Sequence, residues 1–297
     1  MNGDTAMPDT STISRLPAAG ALRMTPGRVL TLAIGVPVIL ALIGLTGFSF
    51  IQQAARASFP VSYAMGVQQG QLRVGVNSGD ITVRQGDDST ARLAGTVSYT
   101  LSRPHVTSTS TASGNEVTVN CPYIATGNCG LSATLDVPRL TSLTLSSGGG
   151  NLTVPGVAPT VYLTSDGGDV SVSGITGAAT VLTGGGNLTA GDMGGPLKLT
   201  TDGGDVNGND LAAPTLSTDS GGGDVNLVFT KVPANLNIIS DGGDVNIILP
   251  RGATSYRVST TTDGGDDSVT VPQSASSGDQ IAVNSGGGDI TISQEDS

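Results

Sequence analysis

The sequence predicts an all-β chain, a single-stranded β-solenoid (β-helix) of about 18–23 residues per coil, preceded by one transmembrane helix. Three observations support this prediction: a glycine- and aspartate-rich segment that recurs eight times, apolar residues that alternate on either side of it, and one long uncharged stretch near the N-terminus. Glycine accounts for 44 of 297 residues, and only 3% are aromatic. The core must therefore consist of small aliphatic side chains in regular layers rather than large aromatic ones.

The uncharged stretch is VLTLAIGVPVILALIGLTGFSFI, residues 29–51. As a helix it would be roughly 34 Å long, which is enough to cross the hydrocarbon core of a bilayer. It is longer than the apolar region of a cleaved signal peptide, although Ala55-Arg56-Ala57 offers a cleavage site, so cleavage of the anchor stays open. Three arginines precede the stretch and one follows it, which places the short tail 1–28 in the cytoplasm and the C-terminal body outside the cell membrane.

Each of the eight repeats has a glycine turn, then Asn or Asp, then a short apolar strand. The polar residue falls at Asn151, Asp169, Asn187, Asp205, Asp224, Asp244, Asp266 and Asp289. The spacings are 18, 18, 18, 19, 20, 22 and 23 residues, and a period near 20 is typical of a solenoid. We expect successive coils to stack about 4.8 Å apart, as neighbouring strands of a sheet do.

The apolar residues indicate how each coil is built. Pairs such as Leu143/Leu145 before the turn and Leu152/Val154 after it alternate with polar residues, which predicts two half-buried strands per coil. A third apolar column, spaced by 18 residues, predicts an inward corner and a flattened triangular coil; its members are Val157, Ile175, Met193 and Leu211. We expect the turn glycines to adopt positive φ at a sharp corner.

The rest of the body is less regular. We interpret residues 52–69 as a linker, 70–140 as irregular membrane-proximal coils, 141–293 as the regular solenoid and 294–297 as an acidic C-terminal tail. Asp80, Asn115 and Asn151 are 35 and 36 residues apart, which suggests about two coils in each interval. Cys121 and Cys129 are the only cysteines. In an exported chain we expect them to form a disulfide, with two free thiols as the alternative.

The charge distribution limits the partners. The net charge is −11, and from Phe59 onward there are 9 basic and 22 acidic residues. An acidic body disfavours nucleic acid, because phosphate binding depends on Lys and Arg, and it disfavours close contact with anionic lipid headgroups.

The acidic residues of the repeat have a structural and a ligand-binding interpretation. We expect Asp169, Asp205, Asp224, Asp244, Asp266 and Asp289 to form a turn and ladder column that accepts hydrogen bonds from backbone N–H groups at the glycine turn. Weak calcium binding by this column is the alternative, since Asp166/Asp169 and similar pairs recur. The GGxGxD calcium motif of other solenoids is absent, so we predict no metal site and no cofactor, and little effect of a chelator on the melting temperature.

Two blocks carry a resemblance to a known family. TLDVPRLTSLTLSSGGGNLTV from Thr134 and VNIILPRGATSYRVSTTTDGGD from Val245 resemble the putative-adhesin domain of unknown function found in bacterial envelope proteins. The resemblance covers about residues 70–293. It implies a β-solenoid fold and supplies no catalytic residues.

The sequence favours a surface binding or structural module of the bacterial envelope, a putative adhesin that contacts a cell-wall glycan, another envelope protein or a copy of itself. The alternative is an envelope-stress sensor or regulatory protein that signals through a membrane partner. A polysaccharide-acting enzyme is less favoured, because the carboxylates repeat uniformly and single out no catalytic pair. His105, the only histidine, has no partner motif. We therefore predict no enzyme activity and no catalytic residues.

Overall fold

The structure, a computed structural model, describes residues 38, 56–87, 89–121, 129–252 and 255–295. The chain divides into two compact units, Met1–Ala54 and Ala55–Ser297, and the fold described below is that of the second. In the described part of the chain, no helix has both the length and the apolar character that crossing a bilayer requires. The tail 1–28 and the predicted transmembrane segment 29–51, apart from Val38, lie outside the described residues.

The described residues of the second unit form 23 β-strands. In chain order they are β1 (Arg56–Met65), β2 (Gln71–Val76), β3 (Asp80–Gln85), β4 (Ala91–Thr100), β5 (His105–Thr111), β6 (Gly114–Asn120), β7 (Cys129–Val137), β8 (Ser142–Ser147), β9 (Leu152–Val154), β10 (Thr160–Ser165), β11 (Val170–Ser173), β12 (Ala179–Thr183), β13 (Leu188–Gly191), β14 (Leu197–Thr201), β15 (Val206–Leu211), β16 (Thr215–Ser220), β17 (Val225–Phe229), β18 (Asn235–Ser240), β19 (Val245–Leu249), β20 (Arg257–Thr262), β21 (Asp267–Val269), β22 (Gln280–Ser285) and β23 (Ile290–Gln294).

These strands form two long sheets. The first has the order β1-β4-β7-β3-β9-β11-β13-β15-β17-β19-β23-β21, and the second β20-β22-β18-β16-β14-β12-β10-β8-β2-β6-β5. From β8 onward the chain alternates between the sheets, so each coil gives one strand to each. Neighbouring coils pair in parallel and in register: Val161 lies between Leu143 and Ala179, 18 residues away on either side. The fold is all-β with long parallel sheets, consistent with the predicted β-solenoid.

The core lies between the two sheets. The alternating residues Leu143, Leu145, Leu152 and Val154 are all at most 1% exposed, as their period of two requires. The third apolar column is buried as well; its members Val157, Ile175, Met193 and Leu211 are 5% exposed or less. Within the described residues Val157, Ile175 and Met193 lie at a corner outside both sheets, because prolines and glycines such as Pro155 and Gly156 interrupt the strand there, whereas Leu211 is the last residue of β15.

At both ends of the stack the spatial order of the coils departs from the chain order. The last coil, β22 and β23, lies between the β18/β19 coil and the β20/β21 coil. The first coil, β2 and β3, likewise lies between the β6/β7 coil and the β8/β9 coil. The expectation that successive coils simply stack is therefore wrong for these two coils.

The side chains explain this order at the C-terminal end. Ile281, Val283, Ile290 and Ile292 of the inserted coil are 0–2% exposed, so covering both faces of this coil buries apolar surface. The outermost strand β20, with the sequence RVSTTT, has an exposed or half-exposed side chain at every position. A polar outer coil suits the end of a solenoid, where the sheet edge faces water.

The other end is closed by antiparallel strands. β1 pairs with β4 and β4 with β7, and β5 forms a hairpin with β6. Residues from Arg56 onward were predicted to belong to a linker; they form β1 instead, because Phe59, Val61 and Tyr63 alternate with exposed residues and pack against the core. The predicted spacing through Asn115 is also wrong. Asn115 is a buried residue of β6 in the second sheet, where its side chain bonds the backbone of Gly66.

Candidate functional site

The predicted aspartate column forms a continuous chain of hydrogen bonds, which we call the Asx ladder. In each coil the side-chain Oδ1 accepts a bond from the backbone N–H of the corresponding residue in the next coil, at 2.8–3.0 Å. In spatial order its members are Asp80, Asn151, Asp169, Asn187, Asp205, Asp224, Asp244, Asp289 and Asp266. Asp266 therefore ends the ladder, and in the described part of the chain no further coil donates an amide to its side chain.

The ladder agrees with the structural interpretation of the column. The donor is a backbone amide, as expected, and it belongs to the next Asn or Asp rather than to a glycine. In the described ranges, no group of three or more His, Cys, Asp or Glu side chains is placed to hold a metal ion. Calcium binding by the column stays a hypothesis for a chelator experiment.

A second ladder, of hydroxyl groups that are buried except for the half-buried Thr262, was missed by the sequence reasoning. Each hydroxyl donates to a glycine carbonyl of the neighbouring coil at 2.8–3.3 Å and accepts from the glycine N–H three residues later at 2.9–3.3 Å. Its members are Ser147, Ser165, Thr183, Thr201, Ser220, Ser240, Ser285 and Thr262. The signal was present, because a Ser or Thr stands four residues before the Asn or Asp of all eight repeats.

Close backbone approach requires the glycine that directly precedes each residue of the Asx ladder from Asn151 onward. A Cβ on Gly168 would lie 2.2 Å from the carbonyl oxygen of Gly150, and one on Gly186 would lie 2.2 Å from that of Gly168. Among the described glycines in the turns that precede the Asx-ladder residues, only Gly79 and Gly149 have φ in the left-handed region. The prediction that positive φ explains these glycines is therefore wrong for most coils, because the stacking distance leaves no room for a side chain.

A groove of about 500 Å³ lies on the outer face of the second sheet. It forms where the β5–β6 hairpin separates from the sheet: β2 pairs with β8 over all six of its residues but with β6 only over Val74–Val76. Gly75 lines the groove and contributes no side chain to fill it. The walls come from β2, the β5–β6 hairpin, β8, and β10 with the turn that follows it.

Most of the side chains that line this groove are polar, and the exceptions are Val74 and Val76. The polar side chains include the hydroxyls of Thr109, Thr111, Ser113, Thr144, Ser146 and Thr164, together with Arg73, Glu116 and Asp166. None of these three charged residues makes an ion pair with another described residue, so both signs of charge face the groove unpaired. Hydroxyls with one guanidinium and two carboxylates suit a ligand that both donates and accepts hydrogen bonds.

Two other predicted features have definite places. Cys121 and Cys129 form a disulfide that joins the residue after β6 to the first residue of β7, as expected for the pair. His105 begins β5 and is exposed; in the described structure it has no nucleophile or carboxylate as a hydrogen-bond partner.

One titratable group lies in the core near the C-terminal end. Tyr256 is fully buried, and its hydroxyl has no hydrogen-bond partner among the described residues. Burial, with a smaller contribution from the negative charge of Asp279, raises the pKa of Tyr256 to about 12. The pKa of this tyrosine is far from neutral pH, where an efficient general acid or base would have its pKa, so we assign it no catalytic role.

Comparison with known proteins places this architecture. Residues 69–296 match the model of one protein family, described as Toastrack DUF4097. The chain belongs to the Toastrack DUF4097 family. The resemblance to a putative-adhesin domain is thereby confirmed. No curated protein matches this Toastrack chain.

Several solved structures are similar to the Toastrack body. A putative adhesin from Parabacteroides distasonis has 11% sequence identity and a TM-score of 0.50, with 81% of this chain and 97% of that chain covered. One from Bacteroides fragilis has 12% identity and a TM-score of 0.47, covering 80% and 97%. One from Parabacteroides merdae has 10% identity and a TM-score of 0.46, covering 81% and 96%. At these identities the similarity concerns the fold.

Proposed function

We propose that this chain is a membrane-anchored surface module of the bacterial envelope that holds a polar envelope polymer, most simply a cell-wall glycan, in the groove between the β5–β6 hairpin and the second sheet. The groove carries the proposal. It is the one place described above where unpaired charges of both signs and a cluster of hydroxyls line the same concave surface. Such groups bind polyhydroxylated ligands through hydrogen bonds, and several bonds to charged partners give specificity.

Placement outside the membrane is supported by independent features. The 23-residue uncharged stretch and the arginines before it favour an anchor with the body outside. The disulfide suits an oxidising compartment. The similar proteins from Parabacteroides and Bacteroides are named putative adhesins, which agrees with a binding role at a surface.

Binding to purified cell wall tests the proposal. The full chain in detergent should be retained, and the double variant Arg73→Ala with Glu116→Ala should bind about tenfold more weakly, because charge-assisted hydrogen bonds are lost. Lys231→Ala is the matched control, since it removes an exposed charge outside the groove. Equal retention of the unmodified chain and both variants would exclude the groove as the binding site. Retention of a single membrane protein instead of cell wall would favour a signalling or assembly role.

A further inference from the structure

The antiparallel end of the body carries a patch of aromatic and cationic side chains. We call it the cap patch and define it by Arg56, Phe59, Tyr63, Tyr99, Leu101, Arg103 and His105. The Arg103 guanidinium carbon lies 4.3 Å from the centroid of the Phe59 ring, and the rings of Phe59 and Tyr99 meet edge to face at 6.0 Å. Phe59, Tyr63, Arg103 and His105 also line a groove of about 400 Å³.

The sheet topology explains why this patch is open. Beyond the coil of β2 and β3, the first sheet continues for three strands, β7, β4 and β1, and the second for only two, β6 and β5. The first sheet therefore extends one strand further. As a result the core-facing side chains of β1, including Phe59 and Tyr63, stay half-buried. The solenoid core is therefore only partly covered at this end of the stack.

The loop from β4 to β5 adds an exposed apolar residue. Leu101 is 51% exposed and has a φ of 71°, a left-handed conformation that is costly for a residue with a Cβ. The conformation holds an aliphatic side chain out at the surface, two residues before Arg103. An exposed leucine flanked by a cation and by aromatic rings is a composition that suits a membrane interface.

The patch is cationic in a strongly acidic protein. Residues 52–79, 89–115 and 117–135 contain no Asp or Glu, whereas the whole chain has a net charge of −11. In the described structure, neither Arg56 nor Arg103 makes an ion pair. Seven of the 24 acidic residues lie instead on the Asx ladder. The expectation that the body as a whole avoids anionic lipid therefore does not extend to this end.

We infer that the cap patch rests on the anionic headgroups of the membrane that anchors the chain. The inference depends on the proposed function, because it needs residues 29–51 in the bilayer. Only residues 52–55 separate that segment from Arg56. At about 3.5 Å per residue, the start of β1 then lies within roughly 18 Å of the hydrocarbon boundary. The arginines meet phosphate groups, and Tyr63, Tyr99 and Leu101 pack at the headgroup level.

A single introduced tryptophan can test this contact, since the chain contains none. The full chain carrying Leu101→Trp is placed in nanodiscs of brominated phosphatidylcholine, with or without phosphatidylglycerol. We expect its fluorescence to be quenched at least about twofold more when the anionic lipid is present, and the difference to shrink at high salt. Tyr162→Trp is the control, because Tyr162 is 46% exposed on the outer face of the second sheet. It should not be quenched in either lipid.

Further variants separate charge from folding. Arg56→Ala with Arg103→Ala should abolish the extra quenching, and Arg56→Lys with Arg103→Lys should retain most of it. If Leu101→Trp lowers the melting temperature of the body, Ser102→Trp replaces it as the reporter. Fluorescence equal to that of the Tyr162→Trp control, or quenching that ignores both phosphatidylglycerol and the arginines, would overturn the inference.

Retention of the chain by the nanodisc distinguishes this inference from the proposed function. If the chain stays with the disc but a tryptophan at position 101 is not quenched, only the inferred headgroup contact is ruled out. A chain that does not stay with the disc removes the anchor, and with it both proposals.

Discussion

The close stacking of the turn glycines predicts opposite effects of the same substitution at two adjacent positions. In Gly168→Ala the new Cβ would lie 2.2 Å from the oxygen and 2.3 Å from the carbon of the Gly150 carbonyl group. Both are backbone atoms, so the two coils must separate by most of an ångström. The separation weakens three hydrogen bonds that are now 2.8–2.9 Å long: Asp169 N–H to Asn151 Oδ1, Leu152 N–H to the Asp169 carbonyl, and the Ser165 hydroxyl to the Gly150 carbonyl.

At about 1 kcal/mol for each bond, Gly168→Ala should cost about 3 kcal/mol of unfolding free energy. A body of this size should then melt roughly 6–12 °C lower. Gly167→Ala is the matched control: its Cβ would meet nothing within 4 Å, and its φ lies outside the left-handed region. It should stabilise by about 0.4–1 kcal/mol, because alanine has less backbone freedom in the unfolded chain.

Thermal melting followed by circular dichroism, with urea unfolding of the same variants, measures both changes. Similar melting temperatures for Gly168→Ala and Gly167→Ala would refute the argument from backbone approach. A destabilised Gly167→Ala would point instead to a special conformation at both positions.

Three further predictions concern the ladder, the coils and the core. Asp205→Ala should lower the unfolding free energy by about 1 kcal/mol, because the Asp224 amide loses its hydrogen-bond acceptor. Asp266→Ala is the control and should change the unfolding free energy little, because Asp266 is at the end of the ladder. Equal urea midpoints for the two variants would contradict the ladder. Deleting residues 170–187 removes one whole coil and should leave a folded, shorter body that melts cooperatively. Deleting only residues 170–178 removes part of a coil and should unfold the body. Equal loss of stability in the two deletion variants would argue against stacked coils. Burial raises the pKa of Tyr256 from 10.0 to about 12, so the contribution of its neutral hydroxyl to the unfolding free energy is complete below pH 10 and is lost as the pH rises to about 12, by at most about 2.7 kcal/mol. Tyr256→Phe should flatten this loss in urea unfolding measured across that pH range, and an unchanged slope would refute it.

The sequence supported the central coils well because each of them repeats the same local pattern. The alternation of Leu143, Leu145, Leu152 and Val154 with polar residues predicted both strands and their buried face. The recurring Asn or Asp predicted the ladder. These features depend on residues within one coil length, so a single period identifies them.

The ends of the stack could not be predicted in the same way. Their order depends on which coil buries more apolar surface when it is covered on both faces. That choice compares Ile281 and Ile290 with the polar strand β20, and the repeat pattern within one coil does not contain this comparison. Asn115 shows the same limit. A polar residue after glycine resembles a repeat, but only the pairing of β6 with β2 reveals that it belongs to the other sheet.

The candidate groove was also beyond the sequence patterns. Arg73, Glu116 and Asp166 lie on three separated segments, and no single sequence motif contains all three. They line one groove because β2 pairs with β6 over only three residues, after which the β5–β6 hairpin separates from the sheet. The hydroxyl ladder, by contrast, could have been found, because Ser or Thr stands at a fixed offset in every repeat.

Display of the body on the outer side of the membrane is the claim on which both the glycan groove and the headgroup contact depend. It can be tested with a membrane-impermeant maleimide on intact bacterial protoplasts that carry the full chain. Tyr162→Cys places one exposed thiol on the second sheet, while Cys121 and Cys129 stay in their disulfide. Thr10→Cys places a thiol in the N-terminal tail. We predict that Tyr162→Cys is labelled on intact protoplasts and that Thr10→Cys is labelled only after the membrane is opened; the reverse pattern would contradict the account.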